Sequence, residues 1–189
     1  MAAVDPIHFE KAINLFPQLS ETQALNCYLF ATSANYNEIS ELRGNSPVSV
    51  KKTLEKAQVN LELHSVQSIR PVILTRIMFN SFYFIRTGKK RSSCLKTDTC
   101  NFLASLEGEQ EGFRLFPELE IPKALIMCMF CSGETSRSIR EAFSLTESQL
   151  LKEIDLFQRV LGINSLQTLR IVVLARLQAF LVSVTFLTN

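Results

Sequence analysis

The chain repeats itself one hundred positions further on, without a gap. Leu15-Phe16-Pro17 and Leu19 return as Leu115-Phe116-Pro117 and Leu119. Ala24-Leu25, Phe30, Ile39 and Glu41 return as Ala124-Leu125, Phe130, Ile139 and Glu141. Lys52, Leu61, Ser65, Gln67 and Arg70 return as Lys152, Leu161, Ser165, Gln167 and Arg170, and Val72, Leu74 and Arg76 as Val172, Leu174 and Arg176. Chance does not hold one register over about sixty residues. The chain therefore reads as two copies of one small module, and two copies are too few for a solenoid. A pseudo-twofold pair is expected.

Each copy reads as four helices. In the first, Ser20-Glu21-Thr22-Gln23 is a capping box ahead of Leu25, Tyr28, Leu29 and Ala31 at helical spacing. A short helix is predicted over Tyr36 to Leu42, ended by Arg43-Gly44-Asn45. Ser46-Pro47 is a helix start, and Val50, Leu54, Ala57 and Leu61 then fall on one face. Ser65 is expected to cap a fourth helix running towards Phe84. The second copy gives helices over about Pro122 to Cys131 and Ser136 to Phe143, then a Thr146/Gln149 capping box with Leu150, Ile154, Phe157 and Leu161 as core, then Ser165 to about Phe186. Sustained period-two alternation is missing. The expected fold is all-α: two tandem four-helix helix-turn-helix modules related by pseudo-twofold symmetry. The expected divisions are 1–87 for the first module, 88–112 for a polar linker and 113–189 for the second. The linker holds Lys89-Lys90-Arg91, with a short helix expected at Cys100 to Leu106.

A short helix, a turn with glycine and a capped helix with one apolar face form the helix-turn-helix plan. Its second helix enters the major groove of DNA. An ordinary helical bundle with similar turns has the same periodicity. Further residues bear on the choice. Gly133-x-x-Ser136-Arg137-x-Ile139, Leu145-Thr146-Glu147-x-Gln149-Leu150 and Leu161-Gly162-Ile163-Asn164-Ser165 resemble the DNA-binding domain of the LuxR/GerE family. In the first copy Asn37-Glu38-Ile39-Ser40, Gly44-x-Ser46 and Val50-Lys51-Lys52-Thr53-Leu54 resemble other parts of the same pattern. The likeness covers about Ser20 to Phe79 and Glu120 to Phe180. It implies a four-helix module whose third helix reads DNA and whose fourth often makes a dimer contact. The sequence departs from the pattern at Leu42, Leu151 and Glu153.

The copies differ in charge. Over Asn45 to Asn60, Lys51, Lys52 and Lys56 stand against Glu55, a net +2. Over Leu145 to Val160, Lys152 and Arg159 stand against Glu147, Glu153 and Asp155, a net −1. Cationic side chains on phosphates dominate DNA affinity, so the acidic helix is the poorer reader. The expected DNA-binding residues are Lys51, Lys52 and Lys56 on phosphates or guanine edges, with Ser49 and Asn37 adding hydrogen bonds. The same lysines would also suit a merely solvated face. The second copy is then structural or partner-binding.

Other signals bound the alternatives. The whole chain carries only +2 over 189 residues, so a nucleic-acid surface must be local. Five cysteines without a framework spacing, and a start lacking a basic region followed by an apolar core, lead to an expected cytoplasmic location. Ile171 to Leu187 is interrupted by Arg176 and Gln178 and short for a bilayer span. Ile171, Val172, Val173, Leu174, Leu177, Phe180 and Leu181 cover more than one helix face, so the fourth helices should pack with each other or across a homodimer. Cys128 and Cys131, with Cys94 and Cys100, could hold zinc, but buried thiols are the simpler reading. His8 and His64 have no partner at catalytic spacing, and neither an enzyme nor a cofactor is expected. The expected function is DNA-binding transcription regulation. The alternative is an interaction module of the same fold that sequesters another regulator.

Overall fold

The structure is a computed structural model that describes residues 15–87 and 115–186. The linker expected at 88–112, with Lys89 to Arg91, Cys94, Cys100 and the short helix, lies outside those residues, as does His8. The fold is all-helical: eight α-helices and a 3-10 turn, with no strand among the described residues. They are α1 (Glu21–Ala31), α2 (Tyr36–Arg43), α3 (Pro47–Asn60), the 3-10 turn (Val66–Ser68) and α4 (Ile69–Thr87), then α5 (Ile121–Cys131), α6 (Ser136–Phe143), α7 (Glu147–Val160) and α8 (Leu166–Phe186). No helix of the described residues is long and apolar enough to cross a membrane.

The chain divides into two compact units, Met1–Leu74 and Thr75–Asn189. The division falls inside α4, so that helix gives its first turns to one unit and the rest to the other.

In the first unit, α1 begins at the Ser20/Gln23 capping box, with Ser20 N–H donating to Gln23 Oε1 at 2.9 Å. Helix α2 begins at a second box: Asn35 Oδ1 accepts from the Glu38 N–H at 3.1 Å and the Asn35 N–H donates to Glu38 Oε2 at 2.7 Å. Helix α3 packs on both α1 and α2. Ile39, Val50, Leu54, Ala57, Leu61 and Ile73 are among the buried side chains. Asn60 Nδ2 ties the end of α3 to Gln18 O and Gln23 Oε1. The Ser65 cap is a correction. Its side chain caps no backbone N–H and a 3-10 turn intervenes before α4, whereas Ser165 Oγ accepts from Thr168 N–H at 3.0 Å.

In the second unit the core gathers Phe79 and Tyr83 of α4 with Phe116 and side chains of α5 to α8. Ala124 to Met129 are buried without a break, because no position from Ala124 to Cys131 is charged and α5 needs no wet face. Cys128 and Cys131 are both fully buried. Burial pushes the Cys131 thiol up to about 12, against the opposing pull of Arg170, and burial alone does the same to Cys27. Residues one hundred apart do not always share an environment. Leu25 is half-buried where Leu125 is buried, and Leu61 is buried where Leu161 is half-buried.

Arg76 and Arg176, one hundred positions apart, do different work. Arg76 Nε donates to the carbonyl of Ser132, just past the end of α5, at 2.7 Å, and Nη1 pairs with Glu134 at 3.1 Å. Arg176 instead forks onto both oxygens of Glu118 at 2.8 and 2.9 Å and lies 5.0 Å from the Phe116 ring centre. By contrast Arg70 over Phe30 and Arg170 over Phe130, at 4.4 and 5.2 Å, are one contact made twice.

Candidate nucleic-acid interface

The turn between α2 and α3 is set by backbone chemistry. Gly44 ends α2 at φ 65°, in the left-handed region, and its N–H returns to Ser40 O. Ser46 then caps α3, its Oγ accepting from the Ser49 N–H at 3.2 Å, and Pro47 takes a first-turn place that needs no N–H donor. Val50, Leu54 and Ala57 hold α3 inward. The opposite face is Val48, Ser49, Lys51, Lys52, Glu55, Lys56 and Val59, all exposed.

Of the three lysines, Lys51 lies 3.9 Å from Glu55 with both side chains at least half exposed, a pair that water screens heavily. Lys52 and Lys56 have no ion pair among the described residues. Ser49 is exposed beside them, although its carbonyl is occupied by the Thr53 hydroxyl at 2.9 Å. Asn37 sits on α2, not α3. Its N–H donates to Asn35 Oδ1 and its carbonyl accepts from Ser40 Oγ, leaving the side chain exposed and unjoined to the lysines.

The second unit repeats α2–turn–α3 as α6–turn–α7 with different surface chemistry. Ser144 takes the left-handed position at φ 54° without being glycine. Leu151, where the first unit has Lys51, is 60% exposed. The charges here are mostly spent on one another: Arg159 pairs with Asp155 at 3.0 Å, Arg140 approaches Glu147 at 4.0 Å, and Arg137 pairs with Glu141 at 3.0 Å on α6. Glu153 is half-buried, with Oε2 buried and lacking a hydrogen-bond partner, so it is not part of an open acidic face. Lys152 stays exposed.

No group of three or more metal-ligating side chains occurs among the described residues. No family model, no curated protein and no solved structure matches the chain.

Proposed function

We propose that the chain is a transcription regulator of the LuxR/GerE type, built from two helix-turn-helix modules in pseudo-twofold relation, with α3 as the helix that enters the DNA major groove. One observation carries the reading. Lys51, Lys52 and Lys56 stand outward on a capped helix held from behind by Val50, Leu54 and Ala57, and two of them have no anionic partner among the described residues. Unpaired cations on a rigid support are what phosphate neutralisation needs. Ser49 supplies a hydrogen bond beside them, and Asn37 adds one from α2.

The second unit serves as scaffold or partner site, since the outward charges of α7 and α6 close on each other. A homodimer through α8 is part of the proposal. That helix turns Leu169, Val173 and Leu177 inward and leaves Ile171 and Val182 about half exposed, two apolar positions that a second copy would cover. The work is cytoplasmic on this reading and involves no catalysis.

The second reading is an interaction module that sequesters another regulator. Exposed Leu151 on α7 favours it specifically. Gel-shift titration of Lys51→Ala and Lys52→Ala against Leu151→Ala and Lys152→Ala, at two salt concentrations, separates the two. Losses confined to the first pair support the DNA reading. Equal losses would mean that both helices touch DNA, and no DNA binding at all would leave the interaction module.

A further inference from the structure

Charge does not account for the whole outer face of α3. Val48 is 63% exposed, yet it takes no part in holding the helix, whose inward side is Val50, Leu54 and Ala57. At roughly 100° of turn per residue, Val48 and Lys52 lie on one stripe a turn apart, opposite the buried side. Val48 is also the second residue of the helix, immediately after Pro47. When a helix enters the major groove, its first residues are the ones that reach base edges. The edges there are hydrogen-bonding groups with one apolar exception, the C5 methyl of thymine.

We propose that Val48 is a specificity-determining residue that packs on the C5 methyl of a thymine, with Lys52 beside it on phosphate or a purine edge. The inference rests on the DNA-binding reading and adds a base preference to it. The flanking charge selects the occupant: three lysines against one glutamate on α3 suit a polyanion and oppose an apolar protein surface. Val59 is more exposed still, but it lies about 16 Å further along the axis at ~1.5 Å per residue, away from the end that meets the bases. In the second unit Ser148 stands one hundred positions after Val48, so α7 has no such apolar tip.

The full chain would select from a randomised duplex pool, and the best enriched duplex would be remade with each thymine in turn replaced by deoxyuridine, which lacks only the methyl. The wild type should lose about three- to five-fold in affinity at one thymine per half-site, the factor expected for one buried methyl. Val48→Ala should bind thymine and uracil duplexes alike at that position, with an unchanged salt slope and unchanged far-UV circular dichroism. Val48→Thr keeps one methyl and should retain part of the difference. Tolerance of uracil throughout by the wild type, a pool that yields no preferred sequence, or a methyl preference that survives in Val48→Ala overturns the assignment while DNA binding stands. Failure to retain any duplex in a salt-dependent way overturns the DNA reading and this inference together.

Discussion

Replacing Arg76 tests how the second unit is held. The Arg76 and Glu134 side chains are only 6% and 10% exposed, and the guanidinium also satisfies the Ser132 carbonyl, left open past the end of α5. Arg76→Ala removes the charge-assisted hydrogen bond to the Ser132 carbonyl and the ion pair to the nearly buried Glu134 carboxylate. Breaking a buried pair from one side costs about 3–5 kcal/mol. Removing both charges relieves most of that, so Arg76→Met with Glu134→Gln should leave roughly the 1–3 kcal/mol of an unsatisfied buried carbonyl. Urea denaturation of the full chain by far-UV circular dichroism reads both, and the transition of the second unit should be the one that moves. Hydrogen exchange across α5 should rise in parallel. A single mutant within about 1 kcal/mol of wild type, or a double mutant no better than the single, refutes the reasoning.

Three further outcomes follow from local chemistry. Gly44 has no atom within 4 Å of where a Cβ would stand, so Gly44→Ala should cost only the left-handed strain, roughly 1–2 kcal/mol, while Ser144→Gly should leave thermal stability equal or higher; the reverse order in a thermal melt would contradict the turn geometry. The hydrogen bonds from Arg176 hold the Glu118 carboxyl below its ordinary value, so its stabilisation is complete above the ordinary carboxylate value and is lost as pH falls through the lower folded one; Arg176→Gln should flatten that acid limb of a stability–pH curve. Buried Cys27 and Cys131, pushed up to about 12, should resist alkylation at about pH 8 in the native protein and react once it is denatured, as peptide mass mapping would show.

Much of the local structure is written in short-range chemistry. The Ser20/Gln23 and Thr146/Gln149 boxes and the Ser46-Pro47 start are properties of four or fewer consecutive residues, and the helices begin where these stand. The inward Val50, Leu54 and Ala57 likewise follow from helical period, which puts the lysines outward without further information. Ser65 reads as a helix start because it matches Ser165 in the repeat, yet it shares that residue's identity and not its turn. Ser33, Glu62 and Ser144 adopt positive φ where glycine is the usual signal, so no residue type marks those turns. Arg76 is the sharpest case. It matches Arg176 in the repeat, yet its partner Glu134 has Ala34 one hundred positions earlier, and only the folded chain shows which carbonyl and carboxylate it meets. The outward place of Val48 follows from the same period, which sets it on the stripe of Lys52 and opposite Val50, Leu54 and Ala57; the folded chain adds that nothing covers it.

The central claim is that α3 binds DNA through its lysines, and the salt dependence of duplex binding tests it most directly. The affinity of the wild-type chain for a duplex, measured by fluorescence anisotropy at several salt concentrations, should fall linearly on logarithmic axes. Each lysine that neutralises a phosphate contributes about 0.9 to that slope. The Lys51→Ala, Lys52→Ala, Lys56→Ala triple variant should therefore be shallower by up to about 2.7 per protomer, with its fold intact because all three side chains are exposed. An identical slope in the triple variant, or no salt-dependent binding by the wild type, would contradict the claim.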